Sequence, residues 1–289
     1  MNVRNMIERT MKGTFFACGM LTIFITLAIA VFMIVNGLPA IHEIGLIDFL
    51  FGQVWRSTDE NPAFGILPFI LTSIYSTLGA ILIGVPIGLM TAIFLAKVAP
   101  PKMAATVNTA VELLAGIPSV VYGFVGMIVL VPLVMNIFNL NSGATLFSAI
   151  IVLSVMILPG IINVSRIALT AVPKEYEEAS LALGATKMET IFKVSVPAAK
   201  SGIAAGVVLG IGRAIGEVMA VMMVMGNVSN MPELFRSATS LTTALARELS
   251  YATGLQRQAL LSIGLVLFIF IILINLVLNL ILKRGGARA

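Results

Sequence analysis

Long apolar runs recur along the whole chain, and they constrain its fold more than any other feature. Six of them lie near residues 14–36, 67–96, 107–135, 145–168, 202–226 and 259–282. A helix needs about 20 predominantly apolar residues to cross the hydrocarbon core of a bilayer. With only 11% charged residues, the chain is predicted to be an all-α polytopic membrane protein with six transmembrane helices.

The distribution of Lys and Arg indicates how these spans are oriented. Six spans place both termini on one side, and thirteen Lys and Arg residues then share that side, against four on the other. The thirteen are Arg4, Arg9, Lys12, Lys97, Lys102, Arg166, Lys174, Lys187, Lys193, Lys200, Lys283, Arg284 and Arg288; the four are Arg56, Arg236, Arg247 and Arg257. Since positive charge marks the cytoplasmic side, both termini are predicted to be cytoplasmic. This bias explains the basic charge without a nucleic-acid partner.

The stretch 172–201 is too polar to lie in a bilayer core, because it carries eight charged residues. Apolar residues nevertheless recur in it at helical spacing, among them Tyr176 and Leu181. Gly184 is expected to separate two short helices, and Pro197 to end the second or begin the helix that follows. The stretch, called the coupling segment below, is predicted to be a cytoplasmic docking surface for a partner.

The spacing within the coupling segment resembles the "EAA" loop of ABC-importer permeases. Glu178, Ala179 and Ser180 are followed by Gly184 and then by the sequence VSVP, which ends at Pro197. The family pattern has a second Ala at the Ser position and Ile and Leu at the two Val positions. In that family the loop docks on a cytoplasmic ATPase subunit, so the resemblance implies this role for Glu178, Ala179, Gly184 and Pro197.

A second polar feature lies inside the predicted fifth span. Arg213 is roughly 16 Å from the start of that span at ~1.5 Å per residue, near mid-membrane, and Glu217 follows at i+4 on the same helical face. A lone charge at that depth costs about 2.5–3.5 kcal/mol or more, so both side chains must face each other or a pore. One interpretation is a packing ion pair. The favoured one is an anion route lined by Arg213, with Glu217 holding the guanidinium.

Three segments resemble the C-type permease subunit of bacterial phosphate ABC importers. They are ELLAGIPSVVYG at 112–123, GRAIGEVMA at 212–220 and LTTALAREL at 241–249. The resemblance implies a type I ABC importer permease fold, in the bacterial inner membrane, that moves phosphate into the cytoplasm by alternating access. It also implies four kinds of partner chain or substrate: an A-type permease, a cytoplasmic ATPase dimer, an extracytoplasmic phosphate-binding protein, and phosphate itself.

Several residue patterns argue against other functions. No G-x-x-x-x-G-K-[ST] loop occurs, so ATP hydrolysis is expected on a separate chain. One Cys and one His exclude a His- or Cys-rich metal centre, and no catalytic residue, metal or cofactor is predicted. A permease for sulfate or molybdate stays open as an alternative, as does a secondary transporter, although no convincing internal repeat supports the latter.

The remaining polar sequence forms two loops on the predicted outer side, 37–64 and 227–258. They are expected to receive the binding protein. Glu233, Arg236, Arg247 and Glu248 are interpreted either as rim contacts or, equally, as ordinary solvated charges. The chain is divided into an N-terminal helix and outer loop, 1–64, and a transmembrane domain, 65–284, that contains the coupling segment. A short interfacial helix is predicted near 44–51.

Overall fold

The structure is a computed structural model that describes residues 3–59 and 61–286. The side chains of Arg4, Lys283, Arg284 and Arg288, counted above for orientation, lie outside what it describes. The chain begins with the long helix α1, Val3–Ile44, and the short helix α2, Leu46–Phe51. A two-stranded hairpin follows, β1, Trp55–Arg56, and β2, Ala63–Phe64, with Trp55 opposite Phe64.

The first predicted span is longer than expected, and the outer loop 37–64 is correspondingly shorter. α1 continues past Gly37 because this glycine allows close contact with the C-terminal helix rather than ending α1. A Cβ at Gly37 would lie 3.0 Å from the backbone nitrogen of Ser262, whose hydroxyl donates to the Gly37 carbonyl at 2.5 Å. The short helix predicted near 44–51 is confirmed as α2.

The central part of the chain is helical, with two π-helical turns. Its elements are α3, Leu67–Ile93, with a π turn over Phe94–Val98; α4, Pro101–Gly116; α5, Ser119–Val125; a π turn over Gly126–Leu130; α6, Val131–Ile137; and α7, Leu146–Thr170. The predicted third span, 107–135, is therefore interrupted, and its membrane-crossing part runs over Ser119–Ile137.

The last part of the chain contains the coupling segment and the predicted fifth and sixth spans. Its elements are α8, Lys174–Ala182; α9, Lys187–Thr190; a π turn over Ile191–Ser195; α10, Val196–Ala198; α11, Lys200–Gly216; α12, Met219–Val224; α13, Leu241–Glu248; and α14, Gly254–Gly286. Among the described residues, five helices are long and apolar enough to cross a membrane. A sixth candidate is the pair Lys187–Ala198 and Lys200–Gly216, which is bent by 70°. The chain is thus an all-α, multi-pass membrane protein.

α7 is the central helix of the bundle, between α3 and α11. Glycines on both neighbours allow the close approach: a Cβ at Gly84 would lie 2.7 Å from Ile157, and one at Gly210 would lie 3.0 Å from Ile161. Small residues serve this purpose in membrane helices because helix association there depends on tight packing.

Two further apolar clusters close the ends of the bundle. One, next to the coupling segment, comprises Ala92, Ile93, Leu169, Val172, Ile191 and Ala199. The other, at the opposite end, includes Phe49, Trp55, Phe64, Phe69, Leu241 and Leu260. The second cluster joins residues before 64 to α13 and α14, so the N-terminal region packs on the bundle; the division at residue 64 stays a prediction.

Candidate functional site

The first interruption in the bundle separates α4 from α5. Pro118 has no N–H to donate, and its ring disfavours helical geometry at the residue before it. Ile117 is accordingly extended, with φ −71° and ψ 127°. Tyr122 connects the two sides, because its hydroxyl donates to the Leu114 carbonyl at 2.7 Å.

The second interruption separates α11 from α12, inside the predicted fifth span. Glu217 is extended there, with φ −73° and ψ 129°, so the continuous helix expected over 202–226 is wrong. Side chains satisfy the backbone groups that this break releases. The Glu217 carbonyl accepts from the Thr242 hydroxyl at 3.1 Å, and the Glu217 carboxylate accepts from the Ala220 N–H at 3.0 Å.

The two interruptions are neighbours, because α5 packs directly on α12. A Cβ at Gly123 would lie only 2.7 Å from the Cα of Ala220. Non-helical backbone at membrane depth is tolerated where it is buried in protein or lines a cavity. In secondary transporters, broken helices that meet at membrane depth form substrate sites, so the same geometry marks this region as a candidate site here.

Arg213 lies in the last turn of α11, beside this region, and is half-buried. Its guanidinium forms no ion pair or hydrogen bond within the part of the chain that the structure describes. The phenol of Tyr122 is close enough to interact with it electrostatically. An intramembrane cation without a protein partner is expected to face water, an anion or another subunit.

Arg213 and Glu217 do not form the expected pair. The prediction assumed one continuous helix, on which residues four apart share a face. Because the helix ends at Gly216, Glu217 instead turns towards α12 and accepts the Ala220 N–H. Glu217 therefore does not hold the guanidinium in this conformation.

Glu217 faces a group of buried hydroxyls that the sequence reasoning missed. This hydroxyl cluster comprises Ser73, Ser76 and Thr77 of α3, and Ser240 and Thr242 at the start of α13. Together with Glu217 these residues line a small cavity. The Leu241 N–H donates to Ser73 Oγ at 3.0 Å, which joins α13 to α3. Thr77 is 6% exposed, and its hydroxyl has no hydrogen-bond partner among the described residues.

A sequence signal for part of this cluster does exist. Thr72, Ser73, Ser76 and Thr77 follow an i, i+1, i+4, i+5 pattern, which places them on one face of a helix. Polar groups concentrated on one face of a membrane helix favour the bundle interior over lipid. Nothing in the sequence, however, indicates that this face meets Glu217.

The coupling segment has the predicted form of two short helices separated at Gly184. Gly184 adopts φ +88°, a conformation that glycine tolerates at little cost. A capping box then starts α9, with the Thr186 hydroxyl accepting from the Glu189 N–H at 3.3 Å and the Glu189 carboxylate accepting from the Thr186 N–H at 3.0 Å. These local signals fix the turn independently of the rest of the bundle.

The four coupling-segment residues predicted to dock a partner, Glu178, Ala179, Gly184 and Pro197, are all exposed. Large apolar side chains are exposed beside them: Leu183 is 90% exposed, and Tyr176 and Met188 are more than half exposed. In a polar segment, exposed apolar groups next to charges are typical of a protein interface.

The opposite face of α8 is attached to the bundle through a polar contact, here called the inner joint. Its members are Lys97, Glu177 and Ser195. Lys97 Nζ forms an ion pair with Glu177 Oε1, and the Ser195 hydroxyl donates to the same oxygen at 2.8 Å. Burial raises the pKa of Glu177, but the hydrogen bonds from Lys97 and Ser195 outweigh it and leave the pKa below its ordinary value.

The expected rim contacts on the opposite end form pairs within the chain. Arg236 pairs with Glu233 at 2.7 Å, and Arg247 pairs with Glu248 at 3.1 Å. Glu248 also accepts from Trp55 Nε1 at 3.1 Å. Its carboxylate thus holds the hairpin against α13, so we assign it a structural contact, while a role of the other three in partner binding stays a prediction.

Comparison with known proteins supports the prediction, made from the sequence, that the chain is a transport permease. A family model described as "binding-protein-dependent transport system inner membrane component" matches residues 84–285. The probable ABC transporter permease protein YqgH of Bacillus subtilis is 42% identical, over 90% of this chain and 87% of its own length. The phosphate transport system permease protein PstC of Pasteurella multocida is 39% identical, over 82% of this chain and 79% of its own. PstC of Haemophilus influenzae is 33% identical, over 96% and 94%.

Solved structures of the same fold support the architecture. A chain of a bacterial alginate ABC transporter, in complex with an alginate-bound periplasmic protein, superposes with a TM-score of 0.64 at 18% identity, over 100% of this chain and 98% of that one. A chain of the MetNI methionine ABC transporter in an inward-facing conformation gives 0.62 at 21% identity, over 76% and 95%. The fold is that of ABC importer permeases.

Proposed function

The chain belongs to the family of binding-protein-dependent transport system inner membrane components, and from that premise we propose that it is the permease subunit of an ATP-driven phosphate importer. Its substrate is inorganic phosphate, which it moves into the cytoplasm. Identities of 33–39% to phosphate transport system permease proteins, over most of both chains, support this substrate.

The observation that carries the proposal is the unpaired Arg213 beside the two helix interruptions. A guanidinium offers planar, paired donors that suit a tetrahedral oxyanion. The nearby hydroxyl cluster offers neutral donors, which replace part of the hydration shell without adding charge. In the proposal, the route is lined by Arg213, Glu217 and these hydroxyls. The Glu217 carbonyl accepts from Thr242 of α13, so Glu217 holds the break against α13 and does not pair with Arg213.

Two of the proposed partner proteins bind at the two ends of the helix bundle, the coupling segment at one end and the loops 37–64 and 227–258 at the other. The coupling segment, with its exposed Leu183, docks on a cytoplasmic ATPase dimer that supplies the energy. A second, A-type permease completes the membrane part, and an extracytoplasmic phosphate-binding protein delivers the anion to the loops 37–64 and 227–258. Both termini are cytoplasmic, in agreement with the Lys and Arg bias.

The mechanism in the proposal is alternating access. Closure of the ATPase dimer moves the coupling segment, and the spans rock as rigid bodies. The region of Arg213 and the two interruptions exchanges exposure to the outside for exposure to the cytoplasm. Phosphate is held there only transiently, since tight binding would slow its release.

The decisive experiment uses the assembled complex in proteoliposomes, with labelled phosphate and the binding protein outside and ATP inside. Arg213→Gln is expected to abolish uptake while the complex still assembles, and Arg9→Gln, a change at an exposed position on α1, serves as the matched control. Competition by sulfate and molybdate tests the anion. Loss of assembly in Arg213→Gln would favour a packing role, and uptake of sulfate or molybdate in place of phosphate would contradict the substrate.

A further inference from the structure

Besides its covalent connections to α7 and α11, the coupling segment contacts the membrane helices through an apolar cluster and a polar contact in the described part of the chain. The apolar cluster joins Ile191 and Ala199 to the inner ends of α3 and α7. Apolar contacts are non-directional, so this cluster permits sliding of one element over another. The inner joint, Lys97 with Glu177 and Ser195, is the directional contact.

The inner joint is well shielded from water. The side chains of Lys97 and Glu177 are 11% and 25% exposed, and Ser195 is fully buried. Other ion pairs in the described part of the chain range from Arg247 with Glu248, at 40% and 16% exposed, to Lys12 with Glu8, at 78% and 63%. A shielded ion pair is screened little by salt and imposes a specific geometry on its partners.

The joint connects three separate parts of the chain through one carboxylate oxygen. Lys97 lies in the π turn that ends α3, Glu177 lies on α8, and Ser195 lies in the π turn that leads towards α11. A second hydrogen bond, between the hydroxyls of Ser180 and Thr190 at 3.0 Å, fixes α8 to the start of that same turn. π turns are frequent at functional sites, where an extra residue redirects a helix.

We propose that the inner joint transmits movement of the ATPase-docked coupling segment to α3 and α11, with Glu177 as the positioning residue. This inference rests on the proposed function, because it assumes that the exposed face of α8 is held by the ATPase. When α8 moves, the ion pair carries the inner end of α3 with it, and Ser195 carries the turn before α11. The helix α11, which bears Arg213, and the helix α3, which bears the Ser73, Ser76 and Thr77 part of the hydroxyl cluster, therefore move together.

A role in transmitting movement explains why Lys97 and Glu177 occupy this position, although apolar residues would also fill the space. Replacement of a buried ion pair by apolar residues often preserves stability, so stability alone does not require one. An apolar contact would, however, leave α8 free to slide along α3. The ion pair defines a single register between the two, which is the property that a transmitting contact needs.

The test uses the full complex in proteoliposomes and measures phosphate transported per ATP hydrolysed, together with assembly by copurification. Glu177→Gln and Lys97→Met are each expected to lower this ratio about fivefold to tenfold, which lies within the range by which single residues change the coupling between sites. Lys12→Met, which removes an exposed pair, is the matched control and should leave the ratio unchanged.

The combined variants separate transmission from mere structure. The double variant Lys97→Met with Glu177→Gln should be no worse than either single change, because both remove the same contact. The exchanged pair, Lys97→Glu with Glu177→Lys, should restore most of the ratio. An unchanged ratio in assembled Glu177→Gln, or loss of assembly that the exchanged pair does not repair, would overturn the proposal.

The ratio of anion transported to ATP hydrolysed tests the inner joint whichever anion the complex transports. A complex that moved sulfate instead of phosphate would contradict the proposed substrate, yet the ratio of anion to ATP would still report on the inner joint. Failure of the joint and failure of the substrate assignment are thus distinguishable in the same preparation.

Discussion

At the scale of single residues, the hydroxyl of Thr77 is unusual because it has no hydrogen-bond partner among the described residues. The residue is only 6% exposed, and its hydroxyl lies at the cavity beside Glu217. A hydroxyl without a protein partner adds no hydrogen bond to the fold, so packing alone gives no reason to keep this hydroxyl. A hydrogen bond from this hydroxyl to an anion that passes through the site does give a reason to keep it.

Thr77→Val is therefore expected to lower phosphate uptake without lowering thermal stability. Valine has nearly the same shape, and a hydrogen bond to a charged group contributes about 1.5–3 kcal/mol, which corresponds to a loss of about tenfold or more. Uptake and the melting temperature of the purified complex are the measurements. Ser154→Ala, which removes a buried hydroxyl bonded to its own helix at Ile150, should leave uptake unchanged. A stability loss in Thr77→Val with normal uptake would assign the hydroxyl to packing.

At the scale of elements, the turn at Gly184 determines how α8 and α9 face the partner. Gly184 has φ +88°, and a Cβ there would meet no atom within 4 Å. A substitution is thus opposed by backbone conformation and not by crowding. For a residue with a Cβ this conformation costs about 1–2 kcal/mol, and Asn accepts it more readily than Ala.

Gly184→Asp is expected to uncouple ATP hydrolysis from uptake, because the turn reorients and a charge enters the docking surface. Gly184→Asn should retain more uptake than Gly184→Ala, although its side chain is larger. The comparison is made by uptake and by ATPase copurification for all three variants. If Ala were tolerated better than Asn, the turn geometry would not be the cause.

The elements also show where sequence reasoning succeeds and where it stops. The spans follow from hydropathy, and the turn at Gly184 follows from local residue preferences, so both are predictable. The break at Glu217 is not, because no proline marks it and its stabilising contact is with Thr242, in another element. The inner joint is equally hidden, since Lys97 and Glu177 lie 80 residues apart. Contacts between distant residues leave no periodic pattern in the sequence.

At the scale of the whole molecule, the two ends of the bundle expose different surfaces. Leu183 of the coupling segment is 90% exposed, and Tyr251, just after α13, is 87% exposed. The proposed orientation places the first in the cytoplasm and the second outside. Both positions are accessible enough to report on orientation.

Single cysteines at these two positions should be labelled from opposite sides of the membrane. In a Cys18→Ser background expressed without the ATPase, which would cover Leu183, a membrane-impermeant maleimide is expected to react with Tyr251→Cys in intact cells, and with Leu183→Cys only after permeabilisation. Lys12→Cys, near the N-terminus, should behave like Leu183→Cys if both termini are cytoplasmic. Labelling of Leu183→Cys in intact cells would reverse the orientation and remove the coupling segment from the ATPase.

The short helix α13 connects the hairpin region to the break at Glu217. Near one end, Thr242 holds the Glu217 carbonyl; at the other, Glu248 holds Trp55 and Ser57 of the hairpin region. Eight residues of helix separate the surface from the place where α11 is interrupted. In the proposed orientation, a protein that binds the outer surface at Glu248 is therefore expected to shift the break at Glu217 through α13, and a change at that break is expected to alter the outer surface in turn.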